Sequence, residues 1–311
     1  MTGYILRRLA YMLPVLLLIT LFVFFLLRFV PGDPAAILLG NRATEENLAN
    51  LRESLKLDEP YWVQYGAFLR NLAQGDLGDS LRQNRPVTDI LRERLPPTIF
   101  LVSYAGTLSV LITAPLATIA ALNRGRWVDQ FVRVYALLAL AMPAYWIGMM
   151  LLQLFAVKLN VFPVAGYGEG FFGHLESLFL PALSMALAVS SILIRSLRNS
   201  ILETIGEDYV RTARAKGLSG RGVFVWHVLR NSAMATATIL AVNLAFLIGN
   251  TVIVEPIFAV PGIGQLIVKA IFDRDYPIIQ GVTLAIGVIV LFINLITDIS
   301  YAILDPRLSY S

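Results

Sequence analysis

Residues 195–231, RSLRNSILETIGEDYVRTARAKGLSGRGVFVWHVLRN, form a polar island between two long apolar segments. The island holds seven basic residues (Arg195, Arg198, Arg211, Arg214, Lys216, Arg221, Arg230) against three acidic ones (Glu203, Glu207, Asp208). Lys and Arg beside membrane spans are held on the cytoplasmic side during insertion, so this stretch is expected to face the cell interior. Its pattern is helix, Gly turn, helix. Glu207 stands four residues before Arg211, a favourable helical pair, and Gly217, Gly220 and Gly222 then interrupt the helical run. The spacing predicts a folded protrusion carried by one helix over Ile201–Lys216, not a loose tether.

The flanks fix the class. The 311-residue chain is 57% hydrophobic and 15% charged, and its mean hydropathy is +0.69. A soluble domain carries roughly a quarter charged residues, so the expectation is an all-α integral membrane protein. The net charge of +4 does not call for nucleic acid, because the basic excess lies in loops beside spans. Without cysteine the chain has no disulfide, thiol nucleophile or thiolate metal site.

Six transmembrane helices are predicted. The first is an apolar run of about 19 residues, Leu9–Leu27, behind Arg7 and Arg8; it exceeds a signal-peptide core and is followed by no small-x-small cleavage site, so it reads as a retained span. Pro31-Gly-Asp-Pro34 ends it. An extracytoplasmic insertion follows over 31–97, with ten acidic and eight basic residues, helix-like stretches at Glu45–Lys56, Tyr61–Ala73 and Val87–Leu95, and a turn at Gly75-Asp-Leu-Gly78. Capping the outer mouth and seating a soluble partner are both open roles for it. Five further spans follow: Thr98–Leu122, Phe131–Val157, Leu178–Ile194, Ser232–Val254 and Ile279–Leu304. The domain division is then 1–30 for the first helix, 31–97 for the insertion, and 98–311 for a five-helix core with its cytoplasmic loop at 195–231. The inner stretches of this topology hold thirteen Lys and Arg and the two short outer loops three, which places both termini in the cytoplasm.

Small residues recur every fourth position inside the spans: Ala105, Ser109, Thr113, Ala117 and Ala121; Ala182, Ala186 and Ser190; Ala237, Ala241, Ala245 and Gly249. Each set lies on one helix face and predicts close helix packing. Gln153, Asn243, Asn250 and Asn294 are polar residues within spans that must face protein or water, and they are the candidates for a translocation path. Asp298, near the inner end of the last span, is expected to meet inner-loop Arg or water.

The island also resembles a known element. Tyr209-Val-Arg-Thr-Ala-Arg-Ala-Lys-Gly217-Leu218 is similar to the cytoplasmic loop by which permease subunits of binding-protein-dependent ABC importers dock onto their ATPases, in the form of the dipeptide, oligopeptide and nickel branch. The family pattern is Glu-Ala-Ala, three residues, Gly, and a later Ile-x-Leu-Pro; here Arg211, Thr212, Ala213 and Gly217 fill the first part, and His227, Leu229 and Arg230 the second. The Glu and the Pro are replaced. Pro31-Gly-Asp-Pro34, the outer passage Val254–Gly264 with Arg274-Asp-Tyr-Pro277, and the terminal Leu304-Asp-Pro-Arg307 resemble the same branch, in the same order along the chain. Within that outer passage Gln265–Phe272 reads as a short amphipathic helix at the outer surface.

The resemblance implies a type I ABC importer permease in the bacterial inner membrane, with a second homologous permease subunit, two cytoplasmic ATPases and an extracytoplasmic solute-binding protein as partners. It implies a coupling loop built from Glu207, Asp208, Tyr209, Arg211, Thr212, Ala213, Arg214, Ala215, Lys216, Gly217 and Leu218. In that loop Thr212, Ala213, Ala215 and Gly217 would permit close approach, and Arg211, Arg214 and Lys216 would supply charge. ATP and Mg belong to the ATPases; the chain itself is expected to bind no cofactor and no metal, and to be no enzyme. Peptides are the first substrate class, with nickel, a metal chelate or a glutathione-like peptide as the alternative. For the loop, an amphipathic helix resting on anionic lipid stands beside docking; for the chain, the readings from other classes are a membrane-embedded enzyme, for which the sequence offers no catalytic constellation, and an ATP-independent channel or carrier.

Several patterns point elsewhere only as letters. Gly168-x-Gly170-x-x-Gly173 matches a dinucleotide fingerprint but follows no strand, and is expected to be a turn. Leu218-Ser219-Gly220 matches a fragment of the ATPase signature, but the chain has no phosphate-binding Gly-Lys-Ser/Thr loop. His174 and His227, the only histidines, fall on opposite membrane sides in this topology and cannot share a metal.

Overall fold

The computed structural model describes residues 2–26, 34–40, 43–54 and 58–304. Of the sequence motifs, Pro31–Asp33 and residues 305–307 lie outside the described residues, as does the end of the expected helix at 55–56. Among the described residues the regular structure is helical: α1 (Thr2–Leu26), α2 (Pro34–Leu39), α3 (Glu45–Ser54), α4 (Tyr61–Ala73), α5 (Val87–Leu122), α6 (Trp127–Ala141), α7 (Ala144–Leu151), α8 (Gly170–Ser177), α9 (Phe179–Ile205), α10 (Asp208–Ala215), α11 (Gly220–Val223), α12 (Arg230–Ile257), α13 (Ile263–Asp273) and α14 (Tyr276–Leu304). α7 and α11 each run on into a π-helical stretch, Leu152–Lys158 and Phe224–Leu229. Four of these helices are long and apolar enough to cross a bilayer, at Val87–Leu122, Phe179–Ile205, Thr236–Ile257 and Tyr276–Thr297; a bent pair makes a fifth, and Ala10–Leu26 is a shorter apolar helix.

By internal contacts the chain divides into Met1–Thr98 with Pro261–Leu295, and Ile99–Val260 with Ile296–Ser311. In the first unit, α1 and α4 meet through Phe24, Tyr65 and Phe68, and the Tyr65 and Thr20 hydroxyls lie 2.7 Å apart. A second cluster joins the start of α5 (Val87, Ile90, Leu91) to α13 (Ile263, Leu266, Ala270) and α14 (Ile278, Val282). Gly281 is required there, because a Cβ on it would stand 2.5 Å from the Val87 side chain. Below this cluster Asp275 is buried and accepts hydrogen bonds from the Ser80 hydroxyl (2.5 Å) and the backbone N–H groups of Leu81 (3.2 Å) and Arg82 (3.1 Å). α13 has the amphipathic form expected of 265–272, with Leu266 and Ala270 inside and Ile271 and Phe272 exposed.

α5 differs from the sequence expectation. Pro96-Pro97 suggests a boundary between Val87–Leu95 and a span from Thr98, yet one 36-residue helix runs through. Each proline removes one N–H that would bond the carbonyl four residues back. Those carbonyls belong to Arg92 and Glu93, which are exposed and open to hydration.

In the second unit α9 is the central element, packed against α6, α7 and α12. Two of the small-residue sets are buried throughout: Ala105, Ser109, Thr113, Ala117 and Ala121 on α5, and Ala182, Ala186 and Ser190 on α9. The third, Ala237, Ala241, Ala245 and Gly249 on α12, is only half-buried or exposed. α9 is longer than the apolar run Leu178–Ile194, because its inward face stays apolar past the membrane-length segment through buried Leu197 and Ile201.

The expected straight span Phe131–Val157 is instead bent by 103° between Ala141 and Ala144. The cause is Pro143, which pushes the preceding residue out of helical space; Met142 is extended at φ −94°, ψ 127°. The apolar run is continuous across the break, so hydropathy alone reads straight through it. Only the start of the Gly168–Gly173 passage is the expected turn: Gly170–Gly173 form the first turn of α8, and a Cβ on Gly168 would lie 2.5 Å from the Gly173 carbonyl oxygen. Beside it the Tyr167 and His174 rings stack at 3.8 Å, and burial pushes the Tyr167 phenol up.

Candidate functional site: the coupling knuckle

The polar island folds as a compact knuckle between α9 and α12. Its helix is shorter than predicted. α9 ends at Ile205, Gly206 caps it, and Glu207 is extended at ψ 145° before α10 begins at Asp208. The single helix Ile201–Lys216 is therefore two helices with a corner, and the Glu207–Arg211 pair does not form. Glu207 instead accepts the Val210 (3.1 Å) and Arg211 (3.3 Å) N–H groups on its backbone carbonyl, and the Arg211 guanidinium meets Asp208 at 3.4 Å. The N-terminal position of Asp208 suits the helix dipole.

The corner lets α10 bury one side. Val210 and Ala213 sink into a cluster formed by Ala117, Ala120, Ala121, Val132, Ile194, Leu197, Ile201, Val223 and Val228. Ala213 is thus an anchor beneath the knuckle, not one of the small residues presented outward as expected. The outward side carries Tyr209, Arg211, Thr212, Arg214, Ala215, Lys216, Gly217 and Leu218, all exposed. Thr212 is partly engaged, its hydroxyl donating to the Asp208 carbonyl at 2.9 Å. Gly217 turns the chain at φ +80°, a left-handed conformation that costs a residue with a side chain roughly 1–2 kcal/mol. Ser219 then caps α11 by accepting the Gly222 N–H at 3.2 Å.

Two polar links hold the knuckle against the base of α12. Asn231 donates its amide to the Tyr209 hydroxyl (2.9 Å) and to the His227 carbonyl (2.9 Å). The Ser232 hydroxyl donates to the Val228 carbonyl and lies 3.0 Å from the Thr204 hydroxyl. From Gly220 the chain runs without a break through the π-helical turn into α12. α10 is thus connected on one side to α9 and on the other to α12. The exposed Val225 and Trp226 extend the outward face with apolar area.

Sequence reasoning did not find the base of this site. Asp129, on the first turn of α6, is 1% exposed and receives both Nε and Nη2 of Arg198 at 2.7 Å, plus the Gly125 N–H at 2.9 Å. This fork ties the 123–126 turn to α9 beneath the knuckle. A paired, bidentate geometry of this kind is the strong form of a carboxylate contact. The only signal in the sequence was an acid in a basic loop, which carries no partner information by itself.

The candidate path residues are not gathered. Gln153 and Asn294 are exposed, Asn243 and Asn250 half-buried, and among the described residues no hydrogen bond joins any two of them. Asn243 and Asn250, seven residues apart, share a face of α12, and Asn243 donates to its own helix at the Ile239 carbonyl, 2.7 Å away. The Asp298 side chain lies outside the described residues. Among the described residues there is no group of three or more His, Asp or Glu able to hold a metal.

A polytopic helical membrane unit with an inserted, rigidly held polar knuckle is the architecture of an importer permease. Residues 113–310 match the family described as binding-protein-dependent transport system inner membrane component, and residues 1–102 match the N-terminal region of such membrane components. The chain belongs to this family of ABC importer permeases, in its peptide and nickel branch. It is 40% identical, over the full length of both chains, to the "Putative peptide transport system permease protein" of Brucella suis biovar 1. It is 35% identical, again over the full length of both, to the glutathione transport system permease protein GsiC of Salmonella typhimurium. The fold is shared with the inward-facing methionine ABC transporter MetNI, with a TM-score of 0.58 and 14% identity, over 70% of this chain and 96% of that one. The chain is accordingly a multi-pass inner-membrane subunit without catalytic activity of its own, working in an ATP-driven system with ATPase and binding-protein partners.

Proposed function

We propose that the chain forms one half of the translocation pathway of a peptide importer, and that the outward face of α10 with the Gly217 turn is where ATPase motion enters it. The observation that carries this reading is the anchoring of α10: buried Val210 and Ala213 fix it from below, while Arg211, Arg214, Lys216 and Leu218 face outward. A stiff element with one free, basic face transmits a push, whereas a loose loop absorbs it. A second, homologous permease subunit, two cytoplasmic ATPases and one extracytoplasmic solute-binding protein complete the assembly, with both termini of this chain in the cytoplasm and the 31–97 insertion outside. When the ATPase pair closes on ATP, the knuckle moves with the ATPase surface, and α9 and α12 carry that displacement into the membrane. Gln153, Asn243, Asn250 and Asn294 are proposed to line the path.

Di- and oligopeptides are the substrates, on the strength of the peptide permease among the relatives; the glutathione permease, also a relative, extends the same reading to a modified tripeptide. Nickel or a metal chelate remains the second substrate class. The test is to co-express the chain with its ATPase and measure co-purification and peptide uptake for Arg214→Glu with Lys216→Glu, which leaves Val210, Ala213 and the Gly217 turn in place. Association is expected to fall at least tenfold while the variant remains folded. Unchanged association and uptake would remove the docking assignment.

A further inference from the structure

A second polar feature lies at the base of the knuckle, and no residue of α10 lines it. A cavity of about 520 Å³ opens between the 123–126 turn, the first turns of α6 and the cytoplasmic end of α9. Its lining includes Arg124, Asp129, Arg133, Arg198, Asn199 and Glu203. The charges are not evenly spent. Asp129 is engaged by the Arg198 fork, and the third Arg198 nitrogen donates to the Asn199 side-chain oxygen at 3.3 Å. Arg133 touches the same carboxylate only at 3.8 Å and stays half-exposed. Arg124 has no carboxylate within 4 Å among the described residues. Two guanidinium groups therefore face the cavity with free donors, against the single carboxylate of Glu203. This is the lining for an anion that also offers hydrogen-bond donors.

The surroundings say where such an anion comes from. On α6, immediately beside the cavity, Trp127 is 79% and Phe131 69% exposed, followed by exposed Val134. Tryptophan with a large apolar neighbour at the end of a span is the pattern of the membrane interface, where the ring lies at headgroup level. The cavity mouth is then level with lipid phosphates and not in open solvent.

We propose that this cavity binds the headgroup of an anionic phospholipid, with the phosphodiester held between Arg124 and Arg133 and a headgroup hydroxyl donating to Glu203 or Asn199. Forked guanidinium donors suit phosphate oxygens, and about 500 Å³ is ample for a glycerophosphate headgroup. The occupied site braces the 123–126 turn against α9 next to the element that receives ATPase motion. It does not depend on which partner docks on the knuckle, so failure of docking and failure of lipid binding are separate results.

The experiment uses the full chain purified with its transporter partners. Mixed micelles carrying phosphatidylglycerol or phosphatidylcholine are supplied, and retained lipid is counted by native mass spectrometry. Wild type is expected to retain phosphatidylglycerol over phosphatidylcholine. Arg124→Gln with Arg133→Gln, which spares the Asp129–Arg198 fork, is expected to lower that retention by roughly thirtyfold, since each of the two basic residues near an anionic headgroup contributes on the order of 1 kcal/mol. Arg124→Lys with Arg133→Lys is expected to restore most of it. Equal retention of the two lipids by wild type overturns the proposal without recourse to any variant, as does a Gln variant that holds phosphatidylglycerol as well as wild type. Protection of delipidated wild type against thermal unfolding by millimolar inorganic phosphate, with none from phosphatidylglycerol, would assign the site to free phosphate and remove the lipid.

Discussion

Asp129 and Asp275 are both buried to about 1% exposure, and each secures a turn to a distant helix, yet they are satisfied by different means. Asp129 meets a guanidinium 69 residues away in a two-point fork. Asp275 reaches back 195 residues to a hydroxyl and then to two backbone N–H groups of the 80–82 turn, all neutral donors. Burial of a carboxylate is costly in either case, but a formal cation offsets it through charge, whereas dipoles do so through number and direction. The first arrangement lies under the knuckle, where the neighbouring 195–231 stretch is rich in arginine. The second organises the α13 end of the other unit, where the sequence supplies a turn instead. The same residue type therefore does the same mechanical work with whatever donors its neighbourhood offers.

That difference is measurable. Asp129→Ala leaves Arg198, with its side chain only 13% exposed, without its fork, and is expected to cost the most, about 3 kcal/mol. It is read as a lowered unfolding temperature in detergent, and the pairing predicts that Asp129→Ala with Arg198→Leu recovers part of the loss. If the double variant is as unstable as the sum of the single ones, the fork is not the source. Asp275→Asn keeps an oxygen acceptor but places an amide against the donors of Ser80, Leu81 and Arg82, and about 2 kcal/mol is expected for the unsatisfied group. Here no single partner substitution should rescue it, since the load is shared by three donors; rescue by Ser80→Ala alone would break the contrast. Gly217→Val is expected to cost roughly 1–2 kcal/mol locally, through the φ of +80°, with Gly217→Asn milder because Asn tolerates that region. Its readout is proteolysis of the knuckle, not global unfolding. Tyr209→Phe removes the acceptor for Asn231 on an exposed surface and should cost about 0.5–1 kcal/mol, seen as faster amide exchange in α10.

Legibility in the sequence followed the range of the interactions. The membrane class, the helices on which the spans fall and the amphipathic α13 all rest on hydropathy and period, which are local and additive along the chain. The knuckle was legible as a basic Gly-interrupted insertion, and its family likeness held over the whole chain. The division of its residues into buried and presented ones was not, because Val210 and Ala213 are assigned their side by contacts with α5, α6 and α9. Gly206 looked like one helical residue among several; the corner there forms because it allows α10 to fold back and bury that side. The break at Pro143 has a local cause, but the apolar run continues across it, so hydropathy reads Phe131–Val157 as one span. The Asp129 fork and the Asp275 cradle had no local signature at all.

Composition and pattern thus determined by themselves that this chain is a helical membrane protein with one basic element between its spans, since burying apolar length and gathering Lys and Arg in one stretch depend only on what each segment contains. Which acid meets which base, where a helix turns a corner, and which face of the knuckle is left free were decided by the tertiary structure, because each depends on residues far apart in sequence competing for the same small volume.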